Sequence, residues 1–301
     1  MSLKAYINAI RPRTLFLAVA SSICGSGLAW FVGGFNTGVF ILTLVTASLL
    51  QILSNLANDY GDFQHGTDIT GKRVGPVRAL QSGAITPQRM KTMIVGVVLA
   101  STASGLALLY IALKSVDAWV LLVFLGLGIA SIIAAIKYTA GNKPYGYRGL
   151  GDLFSFIFFG LVAVVGTYFL HTQRFGFLPW LPAVSLGFLT VAVLNVNNMR
   201  DMHNDKASGK ITIPIMLGFK NAKIYHAFLT FGAMLCLTVF NMLYMNHWYQ
   251  WLYMLVFVLL GKFLMDIFKI TEHRKLDPYL KYTSMAIFLL AILFSVCINI
   301  E

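Results

Sequence analysis

Two acidic segments far apart in the chain contain the side chains best suited to chemistry. The first contains Asn58, Asp59 and Asp62, and the second contains Asp201 and Asp205. At about 100° per residue, the members of each segment share one face of a helix. Like charges stacked on one face repel each other, so a cation should neutralise them. Oxygen-only ligands of this kind favour Mg²⁺, which binds through one or two carboxylates and bridges to substrate phosphates.

Basic residues near these acidic segments could hold phosphate oxygens, arginine as a planar fork and lysine as a point charge. Their position beside the acidic faces favours Lys72, Arg78 and Lys210, although any single base could simply obey the positive-inside rule. The candidate bases are Lys72, Arg73, Arg78, Lys137, Arg200 and Lys210. A Mg²⁺-diphosphate site that opens onto a lipid-facing cavity implies a lipid diphosphate substrate.

The composition indicates the elements that position these side chains. Hydrophobic residues make up 58% of the 301 residues and charged residues 11%, which is too little charge to cover a soluble domain. Runs of about 20 apolar residues predict membrane-spanning helices. The nine predicted spans are 14–33, 38–58, 91–113, 118–138, 151–171, 179–199, 222–244, 250–270 and 282–300. The sequence therefore predicts an all-α, polytopic membrane protein embedded in a lipid bilayer.

The distribution of charge predicts the orientation of this bundle. Of the 23 Lys and Arg residues, 21 lie in the N-terminal segment and in the regions after the second, fourth, sixth and eighth spans. Positive residues collect on the cytoplasmic side, so the N-terminus should be cytoplasmic and the C-terminus external, in a cell inner membrane. All five tryptophans fall at the opposite, external ends. The net charge of +12 favours anionic lipid or substrates, and no nucleic-acid motif is present.

The two acidic segments also suggest an internal repeat. Asp68 is followed by Gly71 and Lys72, much as Asp205 is followed by Gly209 and Lys210. The segments are four spans apart and end the second and sixth predicted spans. We therefore expect two related four-helix halves plus one further helix.

These residues resemble the UbiA superfamily of intramembrane aromatic prenyltransferases. Its first signature, Asn-Asp-x-x-Asp with a further Asp, is similar to Asn58, Asp59, Asp62 and Asp68, and its second, Asp-x-x-x-Asp, is similar to Asp201 and Asp205. The segments 11–15, 75–78 and 147–152 resemble the branch that prenylates 1,4-dihydroxy-2-naphthoate in menaquinone biosynthesis. The resemblance covers the whole chain, 1–301, as a single transmembrane prenyltransferase domain.

The resemblance implies transfer of a polyprenyl group from polyprenyl diphosphate to an aromatic ring carbon, with Mg²⁺ as cofactor. For 1,4-dihydroxy-2-naphthoate the ring carboxylate leaves as carbon dioxide and the product is demethylmenaquinone. Asn58, Asp62, Asp201 and Asp205 would be the catalytic metal-binding set. The complete list of expected metal ligands is Asn58, Asp59, Asp62, Asp68, Asp201 and Asp205, and the list of expected diphosphate ligands is Lys72, Arg78, Lys137 and Lys210.

The acceptor site is indicated by fewer residues. Arg148 and Lys137 could hold the naphthoate carboxylate, and Tyr138 could lie against the ring. An interfacial tyrosine with nearby bases is ordinarily a membrane anchor, and this reading is the favoured one for Tyr138.

Two alternative functions follow from the same residues. A 4-hydroxybenzoate or haem prenyltransferase would share both acidic motifs and differ in its acceptor. A secondary transporter would also contain repeats and intramembrane carboxylates, but its sites lie near the bilayer midplane at broken helices. The acids of this chain are placed at helix ends beside bases, which disfavours transport.

Overall fold

The computed structural model describes residues 3–67, 78–114 and 116–300. Within these ranges, nine helices are long and apolar enough to cross a membrane, and a short helix, α1 (Leu3–Ile10), precedes them. The nine are α2 Pro12–Phe31, α3 Thr37–Gln64, α4 Pro87–Ala112, α5 Ala118–Lys137, α6 Gly151–Thr172, α7 Trp180–Ala207, α8 Ile213–Tyr244, α9 Trp248–Lys269 and α10 His273–Cys297. The predicted all-α membrane architecture is confirmed.

Local start signals explain several of the helix boundaries. The Asn36 side chain accepts a hydrogen bond of 3.1 Å from the backbone N–H of Val39 and so caps α3. Helices α2 and α4 each begin with a proline, which needs no backbone donor in the first turn. Arg11 joins α1 to α2 in the left-handed conformation, with a φ of 53°.

Helices α3 and α7 continue beyond the apolar stretches that predicted them. The predicted spans end at 58 and 199, whereas the helices end at Gln64 and Ala207. Charged side chains lower the hydropathy of a segment but leave its helical backbone hydrogen bonds intact. The apolar stretch that marks each predicted span therefore ends before the helix does. Both helices stop at a glycine with positive φ, Gly66 at 71° and Gly209 at 73°. Both acidic segments are therefore helical, as expected.

The packing divides the membrane helices into two similar sets. Helix α3 packs along α4, and α7 packs along α8, so the helix that carries each acidic segment pairs with its successor in the chain. The main hydrophobic core lies among α2, α6, α7, α8, α9 and α10. Helix α7 is the most buried of the nine and α5 the least. This arrangement agrees with two related halves and an additional helix.

Helix α6 is irregular where it faces α7. Its middle residues, Phe156–Val165, form a π-helix between two α-helical ends. A Cβ atom at Gly160 would lie 2.7 Å from the Cα atom of Gly187, so the two glycines allow α6 and α7 to approach closely. Long π-helical stretches are rare, and π-turns are often found at functional sites.

Candidate active site between two acidic helix ends

The last two turns of α3 form the first acidic helix end. Asp59 and Asp62 are almost completely buried. One Asp62 carboxylate oxygen forms an ion pair with Arg78, and the other accepts a hydrogen bond of 2.7 Å from the Tyr147 hydroxyl. Arg78 also donates to the backbone carbonyl of Asn58 at 3.2 Å. Arg78, the first described residue after the gap that follows Thr67, therefore pairs with the acid at the end of α3.

The Asn58 side chain, by contrast, contacts the end of α5. Its amide oxygen accepts a hydrogen bond of 3.1 Å from the Thr139 hydroxyl. The same hydroxyl lies 3.2 Å from the backbone carbonyl of Ala57. Thr139 therefore anchors the end of α5 to the first acidic helix end.

The end of α7 forms the second acidic helix end. Asp201 pairs with Arg200 at 2.6 Å, and Arg200 pairs in turn with Asp277 of α10 at 2.6 Å. Asp205 is buried, and its carboxylate lies 3.7 Å from the Lys210 ammonium. Within the described residues, that Asp205 oxygen has no hydrogen-bond partner. Buried carboxylates are costly unless a cation faces them, and the Lys210 ammonium is the cation that faces this one.

The two helix ends share the same backbone geometry. The N–H of Thr67 donates to the carbonyl of Asp62 at 3.0 Å, and the N–H of Lys210 donates to that of Asp205 at 2.9 Å. Gly66 and Gly209 are the positive-φ residues that end the two helices. Asp62 is therefore equivalent to Asp205, and Thr67 to Lys210.

This equivalence of residues corrects part of the residue-by-residue alignment of the two acidic segments. The alignment of Asp68 and Gly71 with Asp205 and Gly209 is wrong at the helix ends, because the backbone equivalent of Gly209 is Gly66. Asp68 and Gly71 themselves lie outside the described residues. Glycines that end helices look alike in sequence, and only the hydrogen-bond pattern distinguishes them.

Lys210 connects the two acidic helix ends electrostatically. Burial by itself would lower the pKa of its ammonium group, but the Asp205 and Asp62 carboxylates raise that pKa above its usual value. The ammonium lies 5.5 Å from the centre of the Tyr147 ring and 6.0 Å from that of Tyr138. Lys210 therefore stays charged between the two carboxylates, in a setting that would also accept a phosphate.

A cavity of about 720 Å³ begins at these helix ends and continues between the helices. Its charged end includes Asp62, Arg78, Asp201 and Lys210. Apolar and small side chains line most of the remainder, with contributions from α2, α3, α4, α5, α6 and α7. A cavity with one ionic end and a long apolar part suits an amphipathic molecule that carries an anionic head group.

The structure brings most of the predicted site residues together. Those that line the cavity are Asn58, Asp59, Asp62, Arg78, Tyr138, Asp201 and Lys210. Asp205 does not line the cavity itself but lies beside Lys210, which does. Lys137 and Arg148 are exposed and lie outside the cavity wall, so the structure does not bring them to the site. Asp68 and Lys72 lie outside the described residues.

The position of the Tyr138 side chain differs from the membrane-anchor position that the sequence favoured. Its ring lines the cavity and packs edge-on against Tyr145 at 5.4 Å. Burial raises the pKa of its phenol to about 12, so the hydroxyl stays neutral. The side chain points inward because Gly146 and Gly151 leave space for it, since a Cβ at either glycine would lie within about 3.1 Å of the ring.

Sequence reasoning missed two contacts that shape the site. Arg200 was a candidate phosphate ligand, but its guanidinium is occupied by Asp201 and Asp277. Tyr147 was noted only as part of a motif, yet it donates to Asp62. Asp277 lies 77 residues from Arg200 and Asp62 lies 85 residues from Tyr147, so no local pattern indicated these two contacts.

The donor set fits a hard divalent cation. Both helix ends present only carboxylate and amide oxygens, which Mg²⁺ prefers. No group of three acidic, histidine or cysteine side chains forms a ready-made metal cage in the part of the chain that the structure describes. Mg²⁺ commonly uses one or two carboxylates and completes its shell with water and phosphate oxygens, so such a cage is not required. The buried Asp205 oxygen without a hydrogen bond supports this fit.

The fold and the site define a class of protein: a polytopic membrane enzyme with two acidic helix ends above an apolar cavity. Residues 18–292 match the model of the UbiA prenyltransferase family, and the chain belongs to that family. It is 43% identical to the 1,4-dihydroxy-2-naphthoate octaprenyltransferase of Escherichia coli over 97% of this chain and 94% of the relative. The protein of the same description from Haemophilus influenzae is also 43% identical, with coverages of 97% and 95%.

Solved structures show the same fold at low sequence identity. A UbiA homolog from Aeropyrum pernix aligns with a TM-score of 0.66 and 17% identity, over 96% of this chain and 97% of that chain. A UbiA homolog from Archaeoglobus fulgidus, solved bound to GPP and Mg²⁺, aligns with a TM-score of 0.62 and 14% identity, over 97% and 99% of the two chains. The arrangement of the nine helices is therefore that of this family.

Proposed function

We propose that this chain transfers a polyprenyl group from polyprenyl diphosphate to 1,4-dihydroxy-2-naphthoate, with loss of the ring carboxylate as carbon dioxide. The product would be the reduced, quinol form of demethylmenaquinone, an intermediate of menaquinone biosynthesis. Similarity over nearly the full length to relatives described as 1,4-dihydroxy-2-naphthoate octaprenyltransferase supports the choice of acceptor. The observation that carries the proposal is the pair of acidic helix ends, each with its own base, at the ionic end of an apolar cavity.

The ionic end of the cavity would hold the diphosphate. Mg²⁺ bound there would neutralise the negative charge that develops on the leaving diphosphate. Arg78 and Lys210 would exchange their present carboxylate partners for phosphate oxygens. Lys72 is a further proposed diphosphate ligand. The proposed metal ligands are Asn58, Asp59, Asp62, Asp68, Asp201 and Asp205.

The apolar part of the cavity would hold the prenyl chain and exclude water. The allylic carbon–oxygen bond would break with its electrons leaving on the diphosphate, and a ring carbon would bond to the allylic carbon. The bond from the ring to its carboxylate would then break, carbon dioxide would leave, and the bonding electrons would restore the aromatic ring. Phe154, Phe158 and Phe159 line this part of the cavity, so the positively charged allylic carbon would face aromatic side chains and not solvent. Tyr138 contacts Lys210 and also packs against Tyr145, which stacks on Phe154, and it is a proposed contact of the acceptor ring.

The proposed orientation places this site at the cytoplasmic face of the inner membrane. The acidic ends of α3 and α7 lie on the side that carries 21 of the 23 Lys and Arg residues. Both substrates would then enter from the cytoplasm or the inner leaflet. We further propose that the whole chain acts as one domain, because helices from both halves contribute to the cavity.

The test is an assay of the purified full chain in lipid nanodiscs. Prenyl diphosphates of several lengths are supplied with either 1,4-dihydroxy-2-naphthoate or 4-hydroxybenzoate, with Mg²⁺ or with EDTA, and products are identified by mass. We expect a prenylated, decarboxylated naphthoquinol that forms only with Mg²⁺. Prenylation of 4-hydroxybenzoate alone would support the alternative acceptor. Vesicle uptake of a solute without any prenyl transfer would support a transporter.

A further inference from the structure

The loop between α5 and α6 is held against the segment that follows α7. The N–H of Gly149 donates to the carbonyl of Ile211 at 2.8 Å, and the N–H of Ile211 donates to that of Tyr147 at 3.1 Å. Tyr147 ends a short 3₁₀ turn in this loop. The backbone pairing therefore places the Tyr147 side chain between the two acidic helix ends.

The Tyr147 hydroxyl belongs to a hydrogen-bonded chain that ends on Asp62. A carboxylate can only accept, so the phenol donates to Asp62 at 2.7 Å. The Thr67 hydroxyl lies 2.6 Å from the phenol oxygen and, because the phenol proton is already used, donates to it. One Asp62 oxygen is therefore held in place, while the other faces Arg78.

The repeat explains why this tyrosine is needed in only one half. Thr67 and Lys210 occupy equivalent positions, each the first residue after the glycine that ends its helix. In the second half, Lys210 faces its own carboxylate, Asp205, directly. In the first half, Thr67 is too short to do so and reaches Asp62 through the phenol of Tyr147.

The ring of Tyr147 contacts the other half at the same time. The Lys210 ammonium lies 5.5 Å from the ring centre, within the range of a cation–π interaction. The imidazole ring of His65, the residue after the end of α3, also packs against the Tyr147 ring, with the ring centres 4.9 Å apart. Tyr147 thus contacts an acid of the first half and the base of the second half.

We propose that Tyr147 is a positioning residue that sets the orientation of Asp62 and its alignment with Lys210 for binding of a metal–diphosphate. The inference rests on the proposed function, because it assigns to Asp62 the role of a metal ligand. Groups that hydrogen-bond to metal ligands orient them, and their loss commonly lowers metal affinity or activity by about 10-fold to 100-fold.

The test compares Tyr147→Phe with Tyr60→Phe. Tyr60 also lies at the end of α3, and its hydroxyl accepts a hydrogen bond of 3.0 Å from Gln64, but its ring faces Lys91 and lies outside the cavity wall. Each variant thus removes one phenol hydroxyl that is hydrogen-bonded to the end of α3 or to the residues just after it. Two quantities are measured: binding of Mn²⁺ in the presence of inorganic diphosphate, by electron paramagnetic resonance, and the Mg²⁺ concentration that gives half-maximal prenyl transfer.

We expect Tyr147→Phe to weaken Mn²⁺ binding and to raise the Mg²⁺ half-saturation by about 10-fold or more, with the KM of the aromatic acceptor unchanged. Thr67→Val, which removes the donor to the phenol but keeps the shape, should shift both quantities in the same direction by less. Tyr60→Phe should shift neither.

Normal Mn²⁺ binding and a normal Mg²⁺ requirement in Tyr147→Phe would overturn the proposal. A lower thermal midpoint with unchanged metal dependence would also overturn it, because a tyrosine that only anchors its loop gives that result. Failure of the proposed function is distinguishable, since the unmodified protein would then transfer no prenyl group. The Mn²⁺ measurement gives its answer in either case.

Discussion

Asp62 and Asp205 occupy equivalent places at the ends of their helices, yet their surroundings differ. Asp62 is bound by Arg78 and Tyr147, whereas the Asp205 carboxylate lies 3.7 Å from the Lys210 ammonium. Both acids are buried. A buried carboxylate oxygen without a hydrogen-bond partner, as in Asp205, is costly for a protein that has only structural needs. We therefore propose that Asp205 and its equivalent Asp62 bind a ligand.

The first prediction concerns these two acids. Asp62→Asn and Asp205→Asn should each reduce kcat/KM for the prenyl diphosphate by about 100-fold or more, because each removes a charged metal ligand. Glu272→Gln is the matched control, since it also removes one carboxylate but lies exposed in the loop between α9 and α10, paired with Lys275. Equal activity of Asp62→Asn and Glu272→Gln would disprove the assignment of Asp62.

The second prediction separates diphosphate binding from general positive charge. Arg78→Ala should lower kcat by about 100-fold at saturating substrates, because the guanidinium would stabilise the leaving group more strongly as the bond breaks. Arg274→Ala, which removes an exposed arginine in the first turn of α10, should leave kcat unchanged. Lys281 is a poorer control because its side chain lines the cavity. A small, equal effect of both arginine substitutions would show that Arg78 serves only the charge bias of its face.

At the scale of the elements, close helix contacts hold the site in shape. Gly61 lies in α3 beside Asp62, and a Cβ there would lie 2.6 Å from the backbone of Thr139 at the end of α5. The absence of a side chain at this position lets Thr139 donate to the carbonyl of Ala57 and to the side chain of Asn58. The first acidic helix end is therefore packed directly against the neighbouring loop.

The third prediction tests this contact. Gly61→Ala should lower the free energy of unfolding by about 1–3 kcal/mol, because overpacking displaces one of the two segments. Prenyl transfer should fall as well, since Asn58 would shift with Thr139. Gly96→Ala in α4, where a Cβ meets nothing within 4 Å, is the control and should leave both unchanged or slightly improve stability. Thermal unfolding in detergent measures the difference, and identical midpoints would show that the contact adapts without cost.

At the scale of the whole molecule, the nine helices place the two acidic ends on one side of the bundle. An odd number of spans puts the described chain's two ends on opposite faces, with α1 on the same side as the acidic ends. The orientation in the cell then depends on the bias of basic residues toward that side. The orientation of the helices in the membrane therefore also decides which side of the membrane the site faces.

The fourth prediction measures that topology. A membrane-impermeant maleimide should label Ala207→Cys, at the end of α7, only after permeabilisation, and should label His247→Cys, between α8 and α9, in intact cells. Both positions are exposed. Cys24 and Cys297 are buried and Cys236 is partly buried, so the unmodified protein gives the background. The reverse pattern of labelling would invert the proposed orientation.

The sequence by itself determined the number of membrane helices and the faces that carry the acids. Hydropathy and helical periodicity act along the chain, so spans such as 118–138 agree with α5 at Ala118–Lys137 to within a residue. The same periodicity placed Asp201 and Asp205 on one face of α7. Charge counting likewise needs no tertiary information. These properties depend on whether each segment contacts lipid or water and on the regular period of a single helix.

Only the tertiary structure decided which distant side chains meet. It placed Tyr147 on Asp62 and Arg200 on Asp277, across 85 and 77 residues of chain, and it left the predicted ligands Lys137 and Arg148 exposed. Loops have no periodicity from which a side chain's direction can be read. Their paths here depend on helix packing and on backbone pairing such as that between Tyr147 and Ile211. Long-range contacts of this kind are a property of the assembled bundle, because the packing of all the helices sets the distance between two helix ends.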